Sequence, residues 1–253
     1  MNLLSIEHVT ISVGSVNILD DVSLNIVQGR ITGLVGGSGS GKTTLGLALL
    51  KLLPTPMRLT GGCIVFAGQD IALLDQEHIR RLRGGQIGMA FQEPLSAFDP
   101  IFTIGDQITE TLAAHTQLNL KDRCARMMDV LHSVEIDDPA RIARSYPHQL
   151  SGGLRQRAMI AQAIACKPRL MIVDEATSSL DVTIQANIMK LLRKLNKETG
   201  MGILLISHDL GMVGHWADDI AVIDRGKIVE SGCAADVLSK PLHAYTKALI
   251  EAY

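Results

Sequence analysis

The chain has 253 residues, enough for one large α/β domain or two small ones, and its 24 Lys/Arg against 26 Asp/Glu leave a formal charge of −2 with no footprint for wrapping nucleic acid. Hydrophobic residues make up 47% but aromatic ones only 3%, so the core must be built from Leu, Ile, Val, Ala and Met. No run approaches the ~20 apolar residues of a membrane span, which assigns the positive mean hydropathy of +0.22 to buried strands and helices.

In chain order, Val9, Ile11 and Val13 alternate with polar neighbours, as do Val22, Leu24 and Ile26, and Gly14-Ser15 marks the turn between two strands. The N-terminus shows no basic stretch and no signal-peptide pattern, and the cysteines at 63, 124, 166 and 233 are scattered without metal-ligand spacing, as in a reduced cytosolic chain. Residues 31–35 form a short apolar strand, followed by a Gly/Ser-rich loop and a helical pattern over 44–53 that Pro54 ends. From about 95 to 168 the apolar residues recur at helical spacing, as in Ile108, Leu112 and His115 and again in Met127, Val130 and Leu131, which predicts a mainly helical insert. Two apolar strands, 170–173 and 203–206, flank a helix from about 183 to 198 that stops near Gly200, and this βαβ spacing predicts a parallel sheet buried on both faces. A hairpin over 220–223 and 227–230 brackets Arg225-Gly226, and a helix over about 244–252 closes the chain.

The loop Gly36-Gly37-Ser38-Gly39-Ser40-Gly41-Lys42-Thr43 fits G-x-x-x-x-G-K-[ST]. Glycines let backbone N–H groups curl round phosphate oxygens without Cβ clashes, and the helix that begins near Thr44 turns its positive N-terminus to the same anion. Lys42 is placed for the β- and γ-phosphates and the Thr43 hydroxyl for Mg²⁺. Asp174-Glu175 ends the strand 170–173, at the edge where open α/β sheets bind ligands. Asp174 suits Mg²⁺, directly or through water, and Glu175 suits a general base acting on the attacking water. His208 follows the next strand and is placed for a γ-phosphate contact, although a histidine there reads equally as a surface residue when taken alone. Gln92, after Met89-Ala90-Phe91, carries an amide suited to both Mg²⁺ and water. Ser151-Gly152-Gly153, at the head of a long helical run, offers a hydroxyl, free amides and a helix dipole: a second anion site in one chain.

This combination resembles the ATP-binding cassette (ABC) family. The matching residues are the phosphate loop 36–43, with Thr44 beside it as a further nucleotide contact, Gln92, the signature 150–156, Asp174-Glu175, Ser179-Leu180-Asp181 and His208, in the family's order over nearly the whole chain. The resemblance implies an α/β phosphate-loop ATPase fold with a parallel-sheet core, an N-terminal antiparallel β-subdomain and the helical insert, all within one domain over 1–253. It implies ATP and Mg²⁺ as cofactors, with Glu175, His208 and Gln92 catalytic and Thr43, Gln92 and Asp174 around the metal. It also implies a second cassette, identical or not, facing the first head to tail. Ser151, Gly152 and Gly153 would then complete the partner's site and Asp181 would lie at the interface. Two membrane permease subunits would be sensed by Gln92 and the insert, and an extracytoplasmic binding protein would act indirectly, the chain itself sitting peripherally on the cytoplasmic side of the inner membrane. Two positions depart from the family pattern: Leu154 stands where Gln is frequent, and Val13 stands where an aromatic ring usually stacks on adenine.

Residues 91–100, 146–149 and 241–246 are similar to the peptide and nickel importer branch. The chain stops at Tyr253 without a cysteine-bearing tail, which tilts the expectation toward nickel or metal-chelate members over di- and oligopeptide ones. The alternative is a cassette ATPase acting on nucleic acid or ribosomes, but the chain shows one cassette, no heptad run and no basic patch. A phosphate-loop kinase would lack the segment 150–153.

Overall fold

A computed structural model describes residues 2–176 and 181–251. The described residues form two compact units: one reaches Ile79 and resumes at Asn196, and the other is Arg80–Leu195.

In the first unit, Asn2–Val13 and Val16–Val27 pair antiparallel, Val13 opposite Val16 across the Gly14 turn. The buried set shifts parity along the first strand, from Leu4 and Ile6 to Val9 and Ile11. A break in register between Ile6 and Val9, with His8 in a left-handed conformation (φ 53°), makes the shift. This is a bulge that keeps both apolar pairs on the core side. A further strand, Arg58–Phe66, runs antiparallel to the first, Phe66 opposite Leu4. Its pattern is broken at Gly61-Gly62, where a Cβ on Gly62 would strike the carbonyls of Glu7 and His8, so it crosses the bulge at a point only glycine can occupy.

The second sheet of this unit is centred on Ile31–Val35, parallel to Gly202–Ser207 on one side and to Asp219–Asp224 on the other. Lys227–Cys233 adds an antiparallel edge as the expected hairpin. Every residue of Ile31–Val35 and Gly202–Ser207 is buried. Ile203, Leu204 and Ile206 are each at 0% exposure, and full burial of each such side chain is worth about 1.5–3 kcal/mol. Arg30 fixes one end, donating through Nε and Nη2 to the two Asp219 carboxylate oxygens at 2.7 and 2.8 Å, while Asp218 accepts the Ile31 N–H at 2.8 Å.

The helix after the glycine loop spans Lys42–Ala48, earlier and shorter than the 44–53 pattern suggests. Lys51 turns left-handed (φ 49°), and the Lys51 and Leu52 N–H groups close back on Ala48 O and Leu47 O at 3.0 and 2.9 Å. That closure is a Schellman motif, so the chain reverses before Pro54 and the proline is not the terminator. The helices Leu210–Trp216, Ala234–Ser239 and Ala244–Glu251 complete the unit, and the expected end of the last at Ala252 lies outside the described residues.

The second unit carries a parallel strand pair, Ile87–Ala90 and Leu170–Asp174, with Ile87 opposite Leu170. Between them run the helices Pro94–Ala97, Ile104–His115, Leu120–Ser133, Pro139–Arg144 and Gly152–Ile164. Each of the longer ones begins at a side-chain cap, including a full capping box between Thr103 and Asp106 and an Asn119 cap on the Asp122 N–H at 3.0 Å. Their apolar stripes meet in one core, with Ile104, Ile108, Leu131, Ile142, Ala158 and Ile160 all at 0% exposure. The helix Val182–Thr199 starts one residue before the expected 183. Among the described residues no helix is long and apolar enough to cross a membrane.

Candidate functional site

The phosphate loop follows the buried strand Ile31–Val35 and runs straight into the helix Lys42–Ala48. Its curvature depends on glycine at Gly39 (φ 76°) and Gly41 (φ 102°), both left-handed. A Cβ on Gly36 would overlap the Ile223 carbonyl, and one on Gly41 would press on the Leu19 side chain at 2.5 Å. Ser38, Gly39 and Thr43 are exposed at the rim, Gly37 and Thr44 are half-buried, and Gly36, Ser40, Gly41 and Lys42 are buried. Lys42 is only 4% exposed, and its Nζ donates to Gly36 O at 2.8 Å and Gly37 O at 2.9 Å. A buried ammonium at the head of a helix, in a glycine loop whose backbone is open to close approach, suits an anion. The Ser40 Oγ is also buried, with no hydrogen-bond partner among the described residues. Cradle, cation and spare hydroxyl together fit a phosphate chain.

Two flanking contacts come from the far end of the chain. The Gly226 N–H in the hairpin turn donates to Ser40 O at 3.1 Å, and the Tyr245 hydroxyl accepts the Gly37 N–H at 2.8 Å. Neither partner carries a signal that local pattern could reveal. His208, in the same unit, directly follows Gly202–Ser207 and is exposed, while Asp209 beside it caps Leu210–Trp216 on the Met212 N–H at 2.7 Å.

The second unit holds Gln92, Asp174, Glu175 and Ser151-Gly152-Gly153. Asp174 is the last residue of its strand and only 4% exposed. Glu175 follows in a left-handed conformation (φ 45°). That is a sparsely populated state for a non-glycine residue, and such states cluster at functional sites. The Gln92 Nε2 donates to Glu175 Oε2 at 3.3 Å, so the amide and the candidate base are neighbours. Among the described residues no group of three or more His, Cys, Asp or Glu gathers as a metal cage. Gln92 and Asp174 in this unit, and Thr43 in the first, each carry an oxygen of the kind that a hard cation such as Mg²⁺ takes.

Ser151 caps Gly152–Ile164, accepting the Leu154 N–H at 3.4 Å, and Ser151 and Gly152 are exposed. A Cβ on Gly153 would come within 3.3 Å of Ile184 Cγ2, which keeps the helix start close to Val182–Thr199. Leu154 uses its backbone N–H in the cap, so the departure from Gln leaves this turn intact. Asp181 accepts the Ile184 N–H at 2.9 Å as a helix cap. Ser179 and Leu180 lie outside the described residues.

Known proteins resemble this chain in sequence and in fold. The family profile described as ABC transporter matches residues 19–178. The dipeptide transport ATP-binding protein DppD of Escherichia coli K12 is 41% identical over 256 residues, covering 100% of this chain and 78% of that protein. Among solved structures, cbiO1 from Clostridium perfringens, part of the ABC transporter complex cbiONQ, aligns with a TM-score of 0.83 at 26% identity, over 94% of this chain and 91% of its own. A dimeric post-hydrolysis state of the ATP-binding cassette MJ0796 bound to ADP and Pi aligns with a TM-score of 0.80 at 27% identity, over 91% of this chain and 98% of its own.

Proposed function

The chain belongs to the ABC transporter family as an ATP-binding, ATP-hydrolysing domain, and from that premise we propose that it energises uptake of di- or oligopeptides through partner membrane subunits. The observation that carries the reading is the buried Lys42 ammonium held by the Gly36 and Gly37 carbonyls at the head of a helix. DppD is named for dipeptides, which favours that cargo over a nickel or metal chelate. The whole chain acts as one cassette, with residues 95–168 as its helical subdomain.

Lys42 and the loop N–H groups would bind the β- and γ-phosphates, and Thr43, Asp174 and Gln92 would hold Mg²⁺, as the family resemblance implies. When bound, that ion neutralises charge on the transferred phosphoryl group. Glu175 takes the proton of the attacking water, oriented by Gln92, and His208 contacts the γ-phosphate. Ser151, Gly152 and Gly153 serve a second cassette, whether a copy of this chain or a relative; the dimeric state of MJ0796 supports this arrangement. Two permease subunits receive the stroke, and exposed Leu95, Ile101 and Phe102, at 47%, 71% and 48%, offer apolar contact after Gln92. The chain then works peripherally on the cytoplasmic side of the inner membrane, with a binding protein delivering cargo from the other side.

The test is hydrolysis by the chain alone and after co-purification with permease subunits. Activity should rise with the permease and again with dipeptide-loaded binding protein. Stimulation by nickel chelate in place of dipeptide would reverse the cargo, and stimulation by DNA or ribosomes would overturn the importer reading.

A further inference from the structure

The peptide group between Gly36 and Gly37 faces two ways. Its carbonyl, that of Gly36, accepts the Lys42 Nζ at 2.8 Å, and its N–H, that of Gly37, donates to the Tyr245 hydroxyl at 2.8 Å. A rotation of this peptide would carry the carbonyl away from the lysine, so whatever holds the N–H also holds one of the oxygens that position the ammonium. Glycine leaves this peptide free to turn, because no Cβ restrains it.

Tyr245 is itself well anchored. The turn before its helix is fixed by Glu230, whose carboxylate accepts the Leu242 and His243 N–H groups at 2.8 and 3.0 Å. The Tyr245 N–H donates to His243 Nδ1 at 3.1 Å, and the next residue, Thr246, is at 0% exposure. Tyr245 is half-buried, which shields its hydroxyl bond partly from competing water. A Cβ on Gly37 would stand 3.1 Å from the same hydroxyl, so the tyrosine also limits what the loop can become at this position.

We propose that Tyr245 is a positioning residue of the nucleotide site: through the Gly36–Gly37 peptide it sets the Gly36 carbonyl that orients Lys42, and it ties the helix Ala244–Glu251 to the phosphate loop. The inference rests on the reading of this loop as the ATP site.

Tyr245→Phe removes only the oxygen, and ADP affinity of the full chain by calorimetry is the readout. Loss of one shielded hydrogen bond is expected to raise the Kd about three- to tenfold. Amide hydrogen exchange should quicken at Gly37 but not at Gly226, which is bonded to the same loop through Ser40. Thermal melting of the nucleotide-free chain reports any general structural cost separately, and a merely structural tyrosine would move the melting temperature while leaving the Kd alone. Tight ADP binding by the parent with a Kd within twofold for Tyr245→Phe overturns the inference and leaves the nucleotide reading standing. A parent that binds no ADP overturns both.

Discussion

Gln92 donates to Glu175 at 3.3 Å, although 83 residues separate them in the chain. The carboxylate sits on a left-handed residue (φ 45°), a conformation costing of order 1–3 kcal/mol, at the end of a strand buried throughout. An amide thus touches the group assigned to take a proton from water, and that predicts how the two should fail. Glu175→Gln preserves charge-independent shape and removes the base, so ATP binding should persist while hydrolysis falls about 10²–10⁴-fold. Phosphate release at saturating ATP, beside a nucleotide-binding assay, measures both. Near-normal turnover would reject the base assignment.

Lys42→Ala removes the buried cation and takes the lysine donor away from the Gly36 and Gly37 carbonyls. The expected result is loss of nucleotide binding itself, in contrast to Glu175→Gln. Unchanged ADP affinity in Lys42→Ala would contradict the phosphate-loop assignment.

Val13 ends the first strand opposite Val16, where the family resemblance implies an aromatic ring on adenine. Ring stacking adds about 1 kcal/mol beyond area burial. ATP and GTP should therefore differ in affinity by less than about a hundredfold, or ~2.7 kcal/mol. Val13→Tyr should tighten ATP about fivefold. A wider natural gap in competitive binding would show that base selection lies elsewhere.

His115 ends the helix Ile104–His115, packed near Gly84 and Gly85. Burial, and secondarily the Arg80 charge, hold its imidazole below the ordinary 6.5. The unfolded chain therefore takes up this proton before the folded one, so stability should fall as pH drops through 6.5 and level off only below the depressed folded value. Denaturant midpoints measured between pH 7.5 and 5 should show that fall, and it should shrink in His115→Gln. An equal fall in both proteins would clear His115 of the effect.

Largely apolar runs made the central strands legible: Ile31–Val35, Leu170–Asp174 and Gly202–Ser207 are buried along their whole length, and the one polar residue inside them, Thr32, is buried too. The phosphate loop was legible for the opposite reason, since its chemistry restricts nearly every position. Arg58–Phe66 carries little strand signal because Gly61-Gly62 breaks its alternation, and Ile87–Ala90 little because it is four residues with a glycine. The bulge at His8 hid the parity change of the first strand. The contacts of Tyr245 and Gly226 with the loop were beyond reach, because periodicity reports faces of elements and says nothing of which distant element comes to meet them.

The strand feeding the phosphate loop has both of its neighbours in Gly202–Ser207 and Asp219–Asp224, and the loop's outer braces stand at Gly226 and Tyr245. During synthesis Gly36 to Thr43 emerge well before the segment 202–245, which supplies both neighbouring strands and both braces. The supports of the loop are therefore complete only once residues about two hundred positions downstream have folded against it.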